Sequence, residues 1–262
     1  MTLVATSAVV LQTYRYSETS KIVRLATRDL GVQSAIAKGA LRPKSPFGGA
    51  LETLSEGVAQ LYHKDTRDLQ TLTAFDVTDL RRGLAGDLSR LAGAAALAEV
   101  MTKMAPAASL PVAYDTLTRG LDALAAAPTH EADAVAARWL WLLVGVLGFA
   151  PELDACVRDG TAVGRNGAVA FSTAEGGVLC GACAGRDKSK PGPTRLPSQA
   201  YLDLLALNDA GAAVPQLDVP HAAAHRRLVA RFVRQHLGDP GPLKAMDFWE
   251  RHAWRPATPS AS

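Results

Sequence analysis

Residues 11–50 read LQTYRYSETSKIVRLATRDLGVQSAIAKGALRPKSPFGGA. Seven Lys or Arg stand here against two acids, while the whole chain of 262 residues has a formal net charge of only +3. The rest of the molecule is therefore close to neutral. The first three segments of this region carry branched and aromatic residues with period-two alternation, the mark of half-buried strands. Asp29-Leu30-Gly31 separates two of them as a hairpin turn, with Gly31 free to take positive φ. The stretch ends in Lys38-Gly39-Ala40-Leu41-Arg42-Pro43-Lys44-Ser45-Pro46-Phe47-Gly48-Gly49, which reads as a flexible Gly/Pro-rich loop with three cations and one ring. A local surplus of charge on strands, followed by such a loop, points to a polyanion lying across it.

Outward from this region the pattern continues. Strands are expected over Val4–Tyr16, Ser20–Thr27, Val32–Lys38, Ser55–His63 and Leu69–Val77. Five short strands and one longer loop in about eighty residues suggest a small closed β-barrel of the OB-fold kind. From Asp79 the period changes to three and four, with Leu80, Leu84, Leu88, Leu91, Ala95 and Leu97 on a helical face. Further helices are expected over Val112–Ala126, Ala132–Leu147, Gln199–Leu207 and Ala222–Leu237. The last should stop at Gly238, before Pro240. Residues 150–197 interrupt the helices. They hold all three cysteines, a strand-like pair at Ala168–Phe171 and Gly177–Leu179, and too little apolar content for a core of their own. The expected architecture is α+β and multi-domain. An N-terminal OB-fold barrel covers 1–79 and a C-terminal α-helical domain covers 80–149 and 198–252. A zinc-finger-like insertion occupies 150–197, and 253–262 is a disordered tail.

Apolar content of 48 % and charged content of 20 % are those of an ordinary globular protein. Met1–Val10 lacks a basic region and an apolar signal core. The apolar run near Trp139–Ala150 is too short to span a bilayer and should be a buried helix. A cytoplasmic protein without a membrane partner is expected. Three cysteines make no disulfide framework and suit a reducing compartment.

Cys156-Val157-Arg158-Asp159, then twenty residues, then Cys180-Gly181-Ala182-Cys183, frames two knuckles of a structural zinc site. Asp159 stands where a fourth cysteine is expected; water or a distant His is the alternative ligand, and free buried cysteines the alternative to any metal. His221 and His225 lie four apart on one helix but lack the companion Glu and a third ligand, so they read as a solvated polar face. Arg227, Arg231 and Arg234 share one side of the same helix. Trp139 and Trp141 cannot share a helix face, so one belongs in the core and the other at the surface. Among the cations, several of Lys21, Arg24 and Arg28 can share a barrel face, with Tyr14, Tyr16 and Phe47 available for stacking. No phosphate-cradling loop, nucleophile elbow or HExxH motif is present, and no enzyme is expected.

Arg15-Tyr16-Ser17-Glu18-Thr19-Ser20-Lys21-Ile22-Val23, Thr27-Arg28-Asp29-Leu30-Gly31 and Ala37-Lys38-Gly39-Ala40-Leu41-Arg42-Pro43-Lys44-Ser45 together resemble the N-terminal signature of the bacterial RecO recombination-mediator family. The resemblance runs on through Gly48-Gly49-Ala50-Leu51-Glu52 and covers essentially the whole chain. It implies an OB-fold, a helical domain and a zinc-finger-like insertion. It also implies binding of single- and double-stranded DNA, annealing of complementary strands, and help from RecR in loading RecA onto DNA covered by single-strand-binding protein. Some members contact the tail of single-strand-binding protein. DNA contact is carried onto Arg15, Lys21, Arg24, Arg28, Lys38, Arg42 and Lys44, and zinc onto Cys156, Asp159, Cys180 and Cys183, with Asp159 departing from the family's four cysteines. The rival reading is an adaptor whose barrel grips an acidic peptide.

Overall fold

The computed structural model describes residues 2–165, 167–186, 192–237 and 241–251. Strands β1 (Thr2–Arg15), β2 (Lys21–Thr27), β3 (Gly31–Ala37), β4 (Glu56–His63) and β5 (Leu69–Asp79) come first. They pair in the order β1-β2-β3-β5-β4, and β4 returns to β1, so the sheet closes on itself. The β3–β5 pair is parallel and the other pairs are antiparallel. This is the OB-fold arrangement. Facing residues followed once round the barrel, from Tyr14 through Ile22, Ile36, Thr71 and Tyr62, end at Leu3, far along the starting strand. So large a stagger requires steeply tilted strands. β1 can serve both neighbours because it is fourteen residues long and bends at a bulge between Val10 and Gln12.

Ala8, Val10, Val23, Leu25, Ala35, Ala37, Ala59 and Leu61 fill the lumen. The alternate, outward residues Val9, Leu11, Ala26 and Val32 are buried too, in the core shared with the helices. These strands are thus apolar on both faces where the barrel is seated, which blurs their alternation there.

The 38–49 segment departs from its reading as a flexible loop. It is a chain of tight turns, closed by Ala40 N to Ala37 O, Arg42 N to Gly39 O, Ser45 N to Arg42 O, Gly48 N to Ser45 O and Ala50 N to Phe47 O. Phe47 is 3 % exposed and packs with the lumen residues, so it is not free to stack on a base. Full burial of such a ring is worth roughly 1.5–3 kcal/mol, which holds the segment down as a plug.

The helices are α1 (Arg82–Ala85), α2 (Leu88–Met104), α3 (Pro111–Ala126), α4 (Ala132–Val144), α5 (Gly181–Gly185), α6 (Ser198–Leu207), α7 (Val219–His236) and α8 (Lys244–Arg251). Asp87 caps α2 by accepting from Arg90 N at 3.0 Å. Ala-rich and apolar on most sides, α2 packs against α3, α4 and α8. Thr129–Phe149 is long and apolar enough to cross a membrane by length and composition, yet 56 % of its most apolar 18-residue stretch is buried inside the molecule. Trp141 is in the core and Trp139 is half-buried. α8 was not read from the sequence: it is eight residues long and contributes two buried side chains, Met246 and Trp249. Glu99 on α2 holds its beginning by accepting from Met246 N at 2.8 Å. Gly238, Pro240, Trp254 and the tail 253–262 lie outside the described residues.

Strands β6 (Val169–Ser172), β7 (Gly177–Leu179) and β8 (Thr194–Leu196) form a small sheet in the order β7-β6-β8. β8 has three residues, too few for a periodic signal. The sheet uses the helical core: Phe171 packs edge-on to Trp141 at 6.2 Å and against Phe232 at 6.1 Å.

Barrel and helices meet at Arg81. Its backbone is left-handed (φ 44), and its side chain is 1 % exposed. Nε donates to Asp122 Oδ1 at 2.8 Å, Nη1 to the Leu54 carbonyl at 3.1 Å, and Nη2 pairs with Glu56. Tyr114 donates its hydroxyl to the second Glu56 oxygen at 2.8 Å. Burial and that bond push the phenol's pKa well up, so it remains a donor. Arg81→Met should lower stability by about 3 kcal/mol, because it strands a half-buried carboxylate. Urea unfolding would show it as a lower midpoint at unchanged slope. Asp122→Asn, at a position 56 % exposed, should cost less than about 1 kcal/mol.

Candidate functional site

The N-terminal cations divide between the two ends of the barrel. Arg15 at the end of β1 faces Lys21 at the start of β2, and Lys21 faces Ala37 at the end of β3, immediately before Lys38. Three neighbouring strand ends thus bring Arg15, Lys21 and Lys38 to one mouth. Arg42 joins them, because Leu41 N donates to the Thr19 carbonyl at 3.0 Å and sews the plug to the β1–β2 turn. Lys44 lies one turn further along the same plug. Arg15, Lys38, Arg42 and Lys44 are exposed and Lys21 is half-buried. None of the five pairs with a carboxylate among the described residues. Like charges opposite one another across a ladder are destabilising, so the facing Arg15–Lys21 pair favours an anion at this mouth. Tyr14 and Tyr16 beside it are 53 % and 59 % exposed.

Arg24 and Arg28 are placed otherwise. Val23 and Leu25 point into the barrel, so Arg24 and Arg28 point outward, whereas Lys21 has the inward parity at the open end. Arg24 donates to Ser34 Oγ at 2.7 Å on the next strand. Arg28 sits at the far end of β2 and grips Asp115 of α3 with Nε at 3.1 Å and Nη2 at 3.3 Å. Its hairpin is the seat of the barrel on the α2–α3 connection. Val32 N donates to Pro106 O at 3.3 Å, and Gln33 Nε2 to Ala107 O at 3.2 Å. Gly31 has φ +71, and a β-carbon there would come within 2.2 Å of the Ala108 carbonyl oxygen. The Arg28 side of the turn is therefore fastened to the helices, and Arg28, unlike the five cations at the open mouth, has a carboxylate partner. Asp115 is far away in sequence, so only the fold could reveal the pair.

The second constellation is in the insertion. Cys156, Asp159, Cys180 and Cys183 each offer one ligand atom, all within 4.8 Å of one another. The first knuckle is a turn in which Gly160 N donates to Cys156 O at 2.9 Å, with Gly160 at φ +71, a conformation that favours glycine. The second is the start of α5, where Cys180 Sγ accepts from Cys183 N at 3.4 Å. Asp159 Oδ2 accepts from Cys183 Sγ at 3.1 Å and from Cys180 Sγ at 3.3 Å. The Cys183 bond holds the Asp159 carboxyl well below the usual carboxylate range and pushes the Cys183 thiol up to about 12. A cation at the centre would displace those protons. Three sulfurs and one carboxylate oxygen at this spacing fit a tetrahedral ion with bonds of about 2.0–2.3 Å. The cluster can hold a metal. Arg186 Nη2, 3.7 Å from Cys183 Sγ, is an outer donor that the cysteine spacing could not reveal.

His225 corrects the reading of a solvated polar face: it is 2 % exposed, while His221 is held by Asp218 at 2.7 Å. Arg234 is paired with Asp247 and Glu250 of α8.

A closed OB-fold barrel with a basic mouth, seated on a helical body that carries a cysteine-rich knuckle, defines a multi-domain OB-fold protein. Comparison with known proteins is specific. Residues 1–81 match the family model "Recombination protein O N terminal", and residues 85–246 match "Recombination protein O C terminal". A DNA repair protein RecO of Anaeromyxobacter dehalogenans (strain 2CP-C) is 37 % identical over 248 residues, covering 91 % of this chain and 93 % of the relative. That of Symbiobacterium thermophilum is 34 % identical over 185 residues, covering 70 % and 72 %. That of Nocardioides sp. (strain ATCC BAA-499 / JS614) is 31 % identical over 247 residues, covering 93 % and 98 %. The chain belongs to the RecO family of DNA repair proteins.

Proposed function

We propose that this protein is a recombination mediator. It holds single- and double-stranded DNA at the barrel mouth and anneals complementary strands. With RecR, it helps RecA replace single-strand-binding protein. It acts in the cytoplasm, at the nucleoid, and without covalent chemistry. The observation that carries the reading is the convergence of Arg15, Lys21, Lys38, Arg42 and Lys44 at one barrel end, with no carboxylate partner among the described residues. Each cation set against a phosphate releases a counterion and adds sequence-independent affinity. Tyr14 and Tyr16 supply exposed rings for unstacked bases. Two strands drawn to one positive surface repel each other less, so pairing nucleates faster. Arg24, outward on the neighbouring face, extends the surface; Arg28, held by Asp115, stands outside it.

In the insertion, Cys156, Asp159, Cys180 and Cys183 hold a structural zinc. Thiolates favour zinc over magnesium or calcium. The ion ties two knuckles whose own buried cluster, among the described residues, is Cys156, Leu179 and Cys183.

The Lys38→Glu/Arg42→Glu/Lys44→Glu variant should lose DNA affinity by about a hundredfold or more at moderate salt. Its salt slope should flatten by roughly 0.7–0.9 per lost phosphate contact. Arg28→Gln should keep that affinity within about threefold and instead lower the unfolding midpoint slightly, as loss of an exposed ion pair does. Titration of labelled oligonucleotides at several salt concentrations separates the two, and equal DNA loss in both variants would refute the division of the cations. Protein purified without chelator should contain about one zinc per chain. Asp159→Cys should bind it more tightly, and Asp159→Ala should release it to a weaker chelator.

A further inference from the structure

The cysteine cluster is accessible from outside among the described residues. Asp159 is exposed, and its Oδ2 touches Cys183 Sγ at 3.1 Å and Cys180 Sγ at 3.3 Å. Beside the cluster is an open cavity of about 650 Å³, with Val163, Gly164, Cys180, Gly181, Ala184 and Gly185 in its lining. A β-carbon placed on Gly164, Gly181 or Gly185 would meet no atom within 4 Å, so this approach is clear. Cys180 lines the cavity and is half-buried, whereas Cys156 and Cys183 are 2 % and 5 % exposed and stay out of the lining. The chain has no thiol besides these three.

Cys180 and Cys183 lie three apart at the start of α5, and Cys180 Sγ accepts from Cys183 N at 3.4 Å. All the ligand atoms are within 4.8 Å of one another. A disulfide closes at about 2.0 Å, so these two sulfurs have a short way to move. Arg186 Nη2, 3.7 Å from Cys183 Sγ, favours a thiolate there. Sulfurs that ligate a metal are thiolates already. An accessible thiolate poised next to a second one is the arrangement that peroxides oxidise reversibly. Cys156 is the poorer partner, because it is buried and belongs to the other knuckle.

We propose that Cys180 is a site of reversible oxidation by hydroperoxides, and that Cys183 resolves it as a Cys180–Cys183 disulfide that deprives the cluster of two of its four ligands. The release of metal rests on the reading that the cluster holds zinc. Cys180 Sγ attacks one peroxide oxygen; an S–O bond forms, the O–O bond breaks and hydroxide leaves. Cys183 Sγ then attacks the sulfenic sulfur; the S–S bond forms, the S–O bond breaks and a second hydroxide leaves. The two sulfurs give up two electrons, the peroxide takes them, and two protons from solvent turn the hydroxides into water. Cys156 and Asp159 remain, too few to hold the ion. With Asp159 in place of a fourth cysteine, Cys156 has no thiol left to pair with, so one disulfide is the whole product. The sheet stays anchored through Phe171 while the tie between the knuckles is cut.

The test is oxidation of full-length protein purified without chelator. Hydrogen peroxide is added, zinc release is followed with a chromogenic chelator, and the cysteines are mapped by differential alkylation and mass spectrometry. The parent should release about one zinc per disulfide formed. The disulfide should join Cys180 to Cys183, with Cys156 still alkylated after unfolding. Dithiothreitol should restore the thiols and zinc uptake. Cys180→Ser should slow zinc release at least about tenfold. Cys156→Ser keeps the reactive pair and should form the same disulfide whether or not it retains zinc. A disulfide that includes Cys156, zinc release that leaves Cys180 and Cys183 alkylatable, or parental release from Cys180→Ser would overturn the proposal. Protein that holds zinc but forms no disulfide sinks this inference and leaves the zinc reading intact. Protein that purifies without zinc yet forms the Cys180–Cys183 disulfide sinks the zinc reading and upholds the oxidation site.

Discussion

One buried guanidinium keeps the two halves of this protein in fixed relation. Arg81 reaches from the end of the barrel into contact with Glu56 and the Leu54 carbonyl on one side and Asp122 on the other. A charge taken out of water is tolerable only when its partners are all in place. Small displacements of the barrel against α3 therefore break several bonds together, and the joint behaves as rigid. The strained left-handed backbone at Arg81 is held by the same contacts.

That rigidity gives the distribution of charge its meaning. The β2–β3 turn end of the barrel is fastened to the helices by Arg28–Asp115 and by backbone bonds to the α2–α3 connection. The opposite end, with Arg15, Lys21, Lys38 and the plug, faces away from that joint, and its cations have no carboxylate partner among the described residues. Cations of similar sequence spacing thus do different work. Arg28, near a carboxylate of the helical body, helps hold the fold, and those without one leave a positive surface of the kind a polyanion would be drawn to.

The insertion solves a different problem. Its small sheet lends Phe171 to the core around Trp141 and Phe232, so one side is anchored by apolar burial. Among the described residues the other side has only the small cluster around the cysteines, and a metal held by Cys156, Asp159, Cys180 and Cys183 would substitute there for a core too small to hold by itself. Asp159 in a thiol-rich set would make such a staple a harder and weaker one than four sulfurs would be.

The order of chemistry along the chain was decided by sequence alone. Runs of branched and aromatic residues marked the five strands, with alternation in the first three; a period of three to four marked the longer helices, and the Cys-x-x-Asp and Cys-x-x-Cys spacing marked the knuckles, because each of these signals is local. The seven cations were legible as a group for the same reason. Their division was not: Asp115, which claims Arg28, lies 87 residues away in sequence. Phe47 looked like a free ring because nothing local shows that the barrel lumen closes over it. α8 and β8 escaped because a short element packed by distant partners carries no period of its own. His225 looked solvated because helix spacing gives a residue's neighbours on its own helix and not the elements packed against it. Local pattern set which elements form and which chemistry they carry; only tertiary packing, which couples residues far apart in the chain, decided which charges and polar groups were left without partners.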